Sequence, residues 1–137
     1  MKKILFFLFA MLASGGLFSQ IVLLNENMDS YTTSSFLAVD NPTWFTTWSN
    51  LPGSGEDAQI LTNYAHSGTK SASADLIGGT TDCVIKLGDK TTGIYEVKWW
   101  MYVETGKGAY YNIQHFQAVG TEWAFEIYFN TNGNIHL

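Results

Sequence analysis

Two carboxylates stand four residues apart in Glu122-Trp-Ala-Phe-Glu126, within a run that alternates like a β-strand. Paired carboxylates are the acid and the nucleophile or base of glycoside hydrolysis, and a retaining enzyme holds the two groups about 5–5.5 Å apart. Residues i and i+4 of a regular strand have Cα atoms about 13 Å apart, so these side chains would have to lean far towards each other. Ala124 lies between them, leaving no third carboxylate to orient the pair or raise the pKa of the acid. Two acids on the solvated face of a sheet are the ordinary reading. A glycoside hydrolase remnant using Glu122 and Glu126 is the alternative.

A second chemistry fits the residue types better. Trp100, Tyr102, Asn112, Gln114, Glu122, Glu126 and Tyr128 share one parity across three strand-like runs. Flat aromatic rings stack on the apolar face of a pyranose, while amides and carboxylates bond its hydroxyls. Rigid aromatics mixed with a few polar groups are the usual form of a small-ligand surface, so these seven residues are the candidate carbohydrate site. The competing reading is that Trp100 and Tyr102 pack under a loop or against further strands.

Other chemistries are poorly supplied. The chain has no Gly-x-Ser-x-Gly elbow, no His-Glu-x-x-His helix, no phosphate-binding glycine loop and no cysteine pair for zinc. His66 reads as a solvated turn residue and His115 as a hydrogen-bonded inward one, while His136 is too near the end to assign. Cys83, the only cysteine, alternates within Asp82-Cys-Val-Ile-Lys-Leu and reads as a buried small hydrophobe rather than a nucleophile. With one thiol there is no internal disulfide, so a packed core must hold the fold.

The charge balance excludes whole classes of partner. All seven cationic residues are Lys, against twelve carboxylates, for a net charge of −5. An acidic, arginine-free chain cannot neutralise a phosphate backbone, so nucleic acid is a poor partner, and anionic membranes are disfavoured for the same reason. Aromatics at 15% against 14% charged residues give ample apolar surface for a folded domain.

The elements that must carry these residues read as β almost throughout. Runs rich in Val, Ile, Thr, Tyr, Phe and Trp are separated by Gly, Asn, Asp and Ser clusters, and no stretch has a helical period. Short strands are expected over Ile21–Leu24, Thr43–Ser49, Ala58–Leu61, Lys70–Leu76 and Asp82–Leu87, with a loop over 51–57 and a break at Gly78-Gly79. Three longer strands are expected over Gly93–Val103, Ala109–Gln117 and Glu122–Asn130. Their alternation assigns Val97, Trp99, Tyr111, Ile113, Trp123, Phe125 and Ile127 to a buried face and the candidate site to the opposite one. Asn132-Gly133 signals a two-residue hairpin turn of type I′.

Met1–Ser19 reads as a secretory signal peptide. Lys2 and Lys3 form its positive end, and the unbroken apolar run Ile4–Leu12 is too short for the ~20 residues of a membrane span. Residues 20–137 are then the mature module, with five Lys against twelve carboxylates and a net charge of −7. A strand returning from Asn134 would be cut short at Leu137, which would leave an apolar edge unpaired. The expectation is a module truncated at its C-terminus.

Five segments occur in an order found in one group: NENMDSY (25–31), TWFTTWSN (43–50), AHSGTKS (65–71), IKLGDKTT (85–92) and GIYEVKWWMYVETG (93–106). In these the chain resembles the secreted concanavalin A-like lectin/glucanase jelly-roll modules of bacterial surface proteins exported by the type IX route. The resemblance covers Leu24 to the end. It implies an all-β, two-sheet antiparallel sandwich (jelly-roll), often carbohydrate-binding or adhesive, and incomplete here at the C-terminus. It supplies no catalytic residues. Laminarinase-type members carry a Glu-x-Asp-x-Glu signature, and Ala124 occupies the Asp position. Such modules also often hold a structural calcium ion near the first strand, to which Glu26 and Asp29 could contribute; no other cofactor is expected. The resulting expectation is a secreted or surface-located, non-catalytic module that binds a cell-surface glycan, with no membrane insertion after leader cleavage. The alternatives are the hydrolase remnant and a ligand-free spacer.

Overall fold

A computed structural model describes residues 20–74 and 80–137. The expected signal peptide at 1–19, the end of the Lys70–Leu76 strand and the Gly78-Gly79 break lie outside the described residues. Within them the regular structure is almost all strand. A one-turn helix, α1 (Leu37–Asp40), precedes β1 (Phe45–Thr47), β2 (Gln59–Leu61), β3 (Ser71–Ser73), β4 (Cys83–Ile85), β5 (Ala109–Gln114), β6 (Trp123–Phe129) and β7 (Ile135–His136). All pairing is antiparallel, in three sheets: β1 with β4, β2 with β3, and β5-β6-β7.

The core lies in the first part of the chain. Leu37, Ala38, Phe45, Ala58 and Ile60 are buried together, with Leu24, Met28, Tyr31, Trp44, Ala72 and Cys83 packed around them. In β1 the period of two is visible directly: Phe45 and Thr47 are buried while Thr46 between them is only half-buried. Cys83 pairs with Thr47 across the β1–β4 ladder. Burial pushes its thiol up to about 11, so at neutral pH it is protonated and behaves as the small hydrophobe expected of it.

Two polar devices fasten this core. The loop over 51–57 returns Asp57 beneath α1, where its carboxylate accepts the Ala38 N–H at 3.0 Å and the Gly53 N–H at 2.9 Å. Phe36, at the helix N-cap, has no side-chain oxygen to offer, and Asp57 does that work for Ala38 from nineteen residues further along the chain. The second device joins two of the sequence motifs. Asp29 of NENMDSY accepts the backbone N–H groups of Thr69 (2.8 Å) and Lys70 (3.1 Å) in AHSGTKS. In return the Lys70 ammonium donates to the carbonyls of Asp29 and Tyr31.

The Thr69 amide, more than any other group, holds the Asp29 carboxyl below the ordinary Asp range. A depressed carboxyl contributes stability that is complete above its unfolded pKa, about 3.9, and lost as pH falls through the folded value. Acid should therefore release the 68–70 turn only below about pH 4. Following the Thr69 amide by NMR during an acid titration checks this; loss of that bond above pH 5 would contradict it.

Four expectations are corrected. Gly93–Val103 belongs to none of the sheets among the described residues, and Ile21–Leu24 forms no strand. The assigned buried face of β6 is not buried: Trp123 is 43% exposed, Phe125 38%, and neither they nor Ile127 join the core cluster. Alternation sorts side chains onto two faces, but only a second layer can bury one of them. The hairpin turn is also of another kind. Gly133 alone has positive φ (+85°), Gly133 N–H reaches the Asn130 carbonyl at 2.9 Å, and Asn130 N–H reaches that of Asn134 at 2.9 Å. This is the three-residue loop ending in a left-handed glycine, not the type I′ turn.

Candidate functional site

The exposed aromatics of the 93–103 segment are ordered by ring stacking instead of by a sheet. Trp100 lies on the His66 imidazole with centroids 3.9 Å apart and planes 10° from parallel. Two residues on, Tyr102 lies on Tyr64 at 4.3 Å and 20°. As one segment's number rises the other's falls, so 64–66 and 100–102 run antiparallel with their rings in register. Trp99, of the opposite parity, stacks on Tyr111 at 4.1 Å instead. The buried face expected of this run is not found: Val97 is 38% exposed and Trp99 39%, because no second layer covers them.

The ladder faces water. Trp100 is 76% exposed, and Tyr64 and Tyr102 are exposed as well. An open concavity of about 330 Å³ adjoins Trp100, lined also by Val97, Lys98 and Trp99. Lys98 pairs with Glu96 at 3.0 Å on the surface, a contact of little energetic weight. At the other end the Tyr64 phenol is pushed up by a hydrogen bond to Glu104. Glu104 also borders a second cleft of about 400 Å³, formed with the turn at 105–107 and the β6–β7 loop.

The remaining predicted residues fall into two other groups. Asn112 pairs with Glu126 and Tyr110 with Tyr128 across β5–β6. One Glu126 oxygen accepts both phenols, from Tyr110 at 2.5 Å and Tyr128 at 3.1 Å. Burial, with the bond to Glu126 second, pushes Tyr110 up to about 12. Gln114, the last residue of β5, and Glu122 flank the loop that joins β5 to β6. A register shift sets Gln114 opposite Trp123, and its side-chain oxygen accepts the Gly120 N–H at 2.7 Å. Glu122 precedes β6 and lies 3.1 Å from His115 Nδ1. His115 is exposed rather than inward-facing. Glu122 and Glu126 therefore serve separate partners.

No family model, curated protein or solved structure matches this chain. What the site can do rests on its own geometry.

The carboxylates of Glu26 and Asp29 are committed within the protein. Glu26 accepts the Met28 N–H at 2.8 Å and the Tyr31 hydroxyl, and Asp29 holds the 68–70 turn. Among the described residues no three His, Cys, Asp or Glu side chains gather where they could hold a metal ion, and none of the helices is long and apolar enough to cross a membrane.

Sequence reasoning missed Tyr64, His66, Glu104 and Tyr110. A signal was present: Tyr64 and His66 are spaced like Trp100 and Tyr102, and two aromatic pairs at a spacing of two can stack across adjacent chains.

Proposed function

We propose that this chain is a secreted, non-catalytic β-sandwich module of the concanavalin A-like jelly-roll kind that binds carbohydrate, or mediates adhesion to it, at the cell surface. The antiparallel pairing of every strand among the described residues supports the sandwich. The reading of Met1–Ser19 as a leader supports export.

The observation that carries the binding function is the exposed indole of Trp100, backed by His66. A large ring gains nothing for folding by facing water, and a preformed, stiff aromatic surface is what stacking on a sugar requires. The polar groups of Tyr64, Tyr102 and Glu104 lie along the same ladder, ready to bond hydroxyls. Binding without hydrolysis is supported by the carboxylates: Glu126 is tied to two phenols and Glu122 to His115.

The purified protein should bind a restricted set of glycans on an array. Trp100→Ala should weaken that binding about tenfold, the equivalent of about 1.4 kcal/mol, with an unchanged unfolding transition. Equal binding by the variant, or no binding by the unaltered protein, would refute the proposal.

A further inference from the structure

Tyr64 has φ of +55°, in the left-handed region. A bulky residue there is an outlier, since glycine or asparagine adopts that backbone at far lower cost. Strained backbone of this kind gathers at ligand-binding sites. Packing does not explain it: Tyr64 is 58% exposed and lies outside the core cluster. What the conformation achieves is specific. It lays the Tyr64 ring on Tyr102, with centroids 4.3 Å apart.

We propose that Tyr64 is a positioning residue of the carbohydrate surface, whose left-handed backbone adds a second ring pair beside Trp100 and His66, so that the ligand is an uncharged chain of at least two sugar units. This rests on the binding function proposed above. Residues two apart in extended chain are about 6.5–7 Å apart, wider than one pyranose ring, so contact with both ring pairs takes two linked units. One unit covers Trp100; the next meets Tyr102, with Glu104 accepting from its hydroxyls. The acidic chain, with Glu96 and Glu104 flanking the rings, disfavours a polyanionic glycan.

The test is calorimetric titration with glucose, cellobiose and cellotriose, and with the matching β-linked mannose and N-acetylglucosamine series. In at least one series affinity should rise about tenfold or more from the monosaccharide to the trisaccharide. Tyr64→Gly should remove that rise while its Tm stays at or above that of the unaltered protein, because glycine accepts the left-handed backbone. Tyr64→Phe, which keeps the ring, should retain most of the rise. A rise that survives Tyr64→Gly, or one lost together with a lowered Tm, overturns the positioning role. Full affinity for a monosaccharide overturns the two-unit ligand alone. Absence of binding in all three series overturns the binding function itself and this inference with it.

Discussion

Asp57→Ala should lower the free energy of unfolding by about 2–4 kcal/mol, the largest effect expected of any single polar substitution in this protein. Asp57 is 4% exposed, and its two oxygens satisfy the N–H groups of Ala38 and Gly53. Gly53 is exposed, so water can replace that bond. Ala38 is fully buried, and its N–H would have no substitute, which makes this half of the loss the more costly. The helix start and the 51–57 loop would loosen together. Asp57→Asn keeps one acceptor but turns an NH₂ group towards the other donor, so it should fall between. Equilibrium urea unfolding of the purified variants decides the matter: a change below about 1 kcal/mol for Asp57→Ala would mean that the loop is not held by this residue.

Gly68→Ala should come next. Gly68 has φ of +69°, and a Cβ built there would overlap the Asp29 carboxylate. The left-handed backbone alone costs a non-glycine residue about 1–2 kcal/mol. Beyond that, the carboxylate must leave, and with it go its bonds to the Thr69 and Lys70 amides. The two parts can be separated. In an Asp29→Ala background there is no carboxylate to displace, so Gly68→Ala should cost only the backbone part. The two substitutions should therefore be non-additive in thermal or urea unfolding. Additive effects would show that the turn and the first motif are energetically independent.

Much of the local structure was legible in the residues. The strands over 45–47, 59–61, 71–73, 83–85, 109–114 and 123–129 all lie within expected runs, because β-branched and aromatic alternation bounded by turn residues is a local property of the chain. The hairpin at Asn132-Gly133 was legible too, though its form was not. The number of left-handed residues in the loop depends on how the two strands twist and pair, and here Gly133 takes that role alone. The candidate site was legible only in part. Trp100 and Tyr102 are aromatic and exposed as expected, but their partners His66 and Tyr64 come from a segment that read as a solvated turn.

By itself the sequence determined parity within a strand: Phe45 and Thr47 of β1 are buried and Thr46 between them is not. It also determined the acidic charge, the lack of an internal disulfide and a chain of strands with little helix. Only the tertiary structure decided which faces are covered. It set the core among Leu37, Phe45 and Ile60, left Trp123 and Phe125 exposed, and brought Asp29 to Thr69 across forty residues of chain. The reason is physical. Side-chain direction follows from two backbone dihedrals per residue and repeats every second position, whereas burial depends on a second layer supplied by distant segments, which no local period encodes.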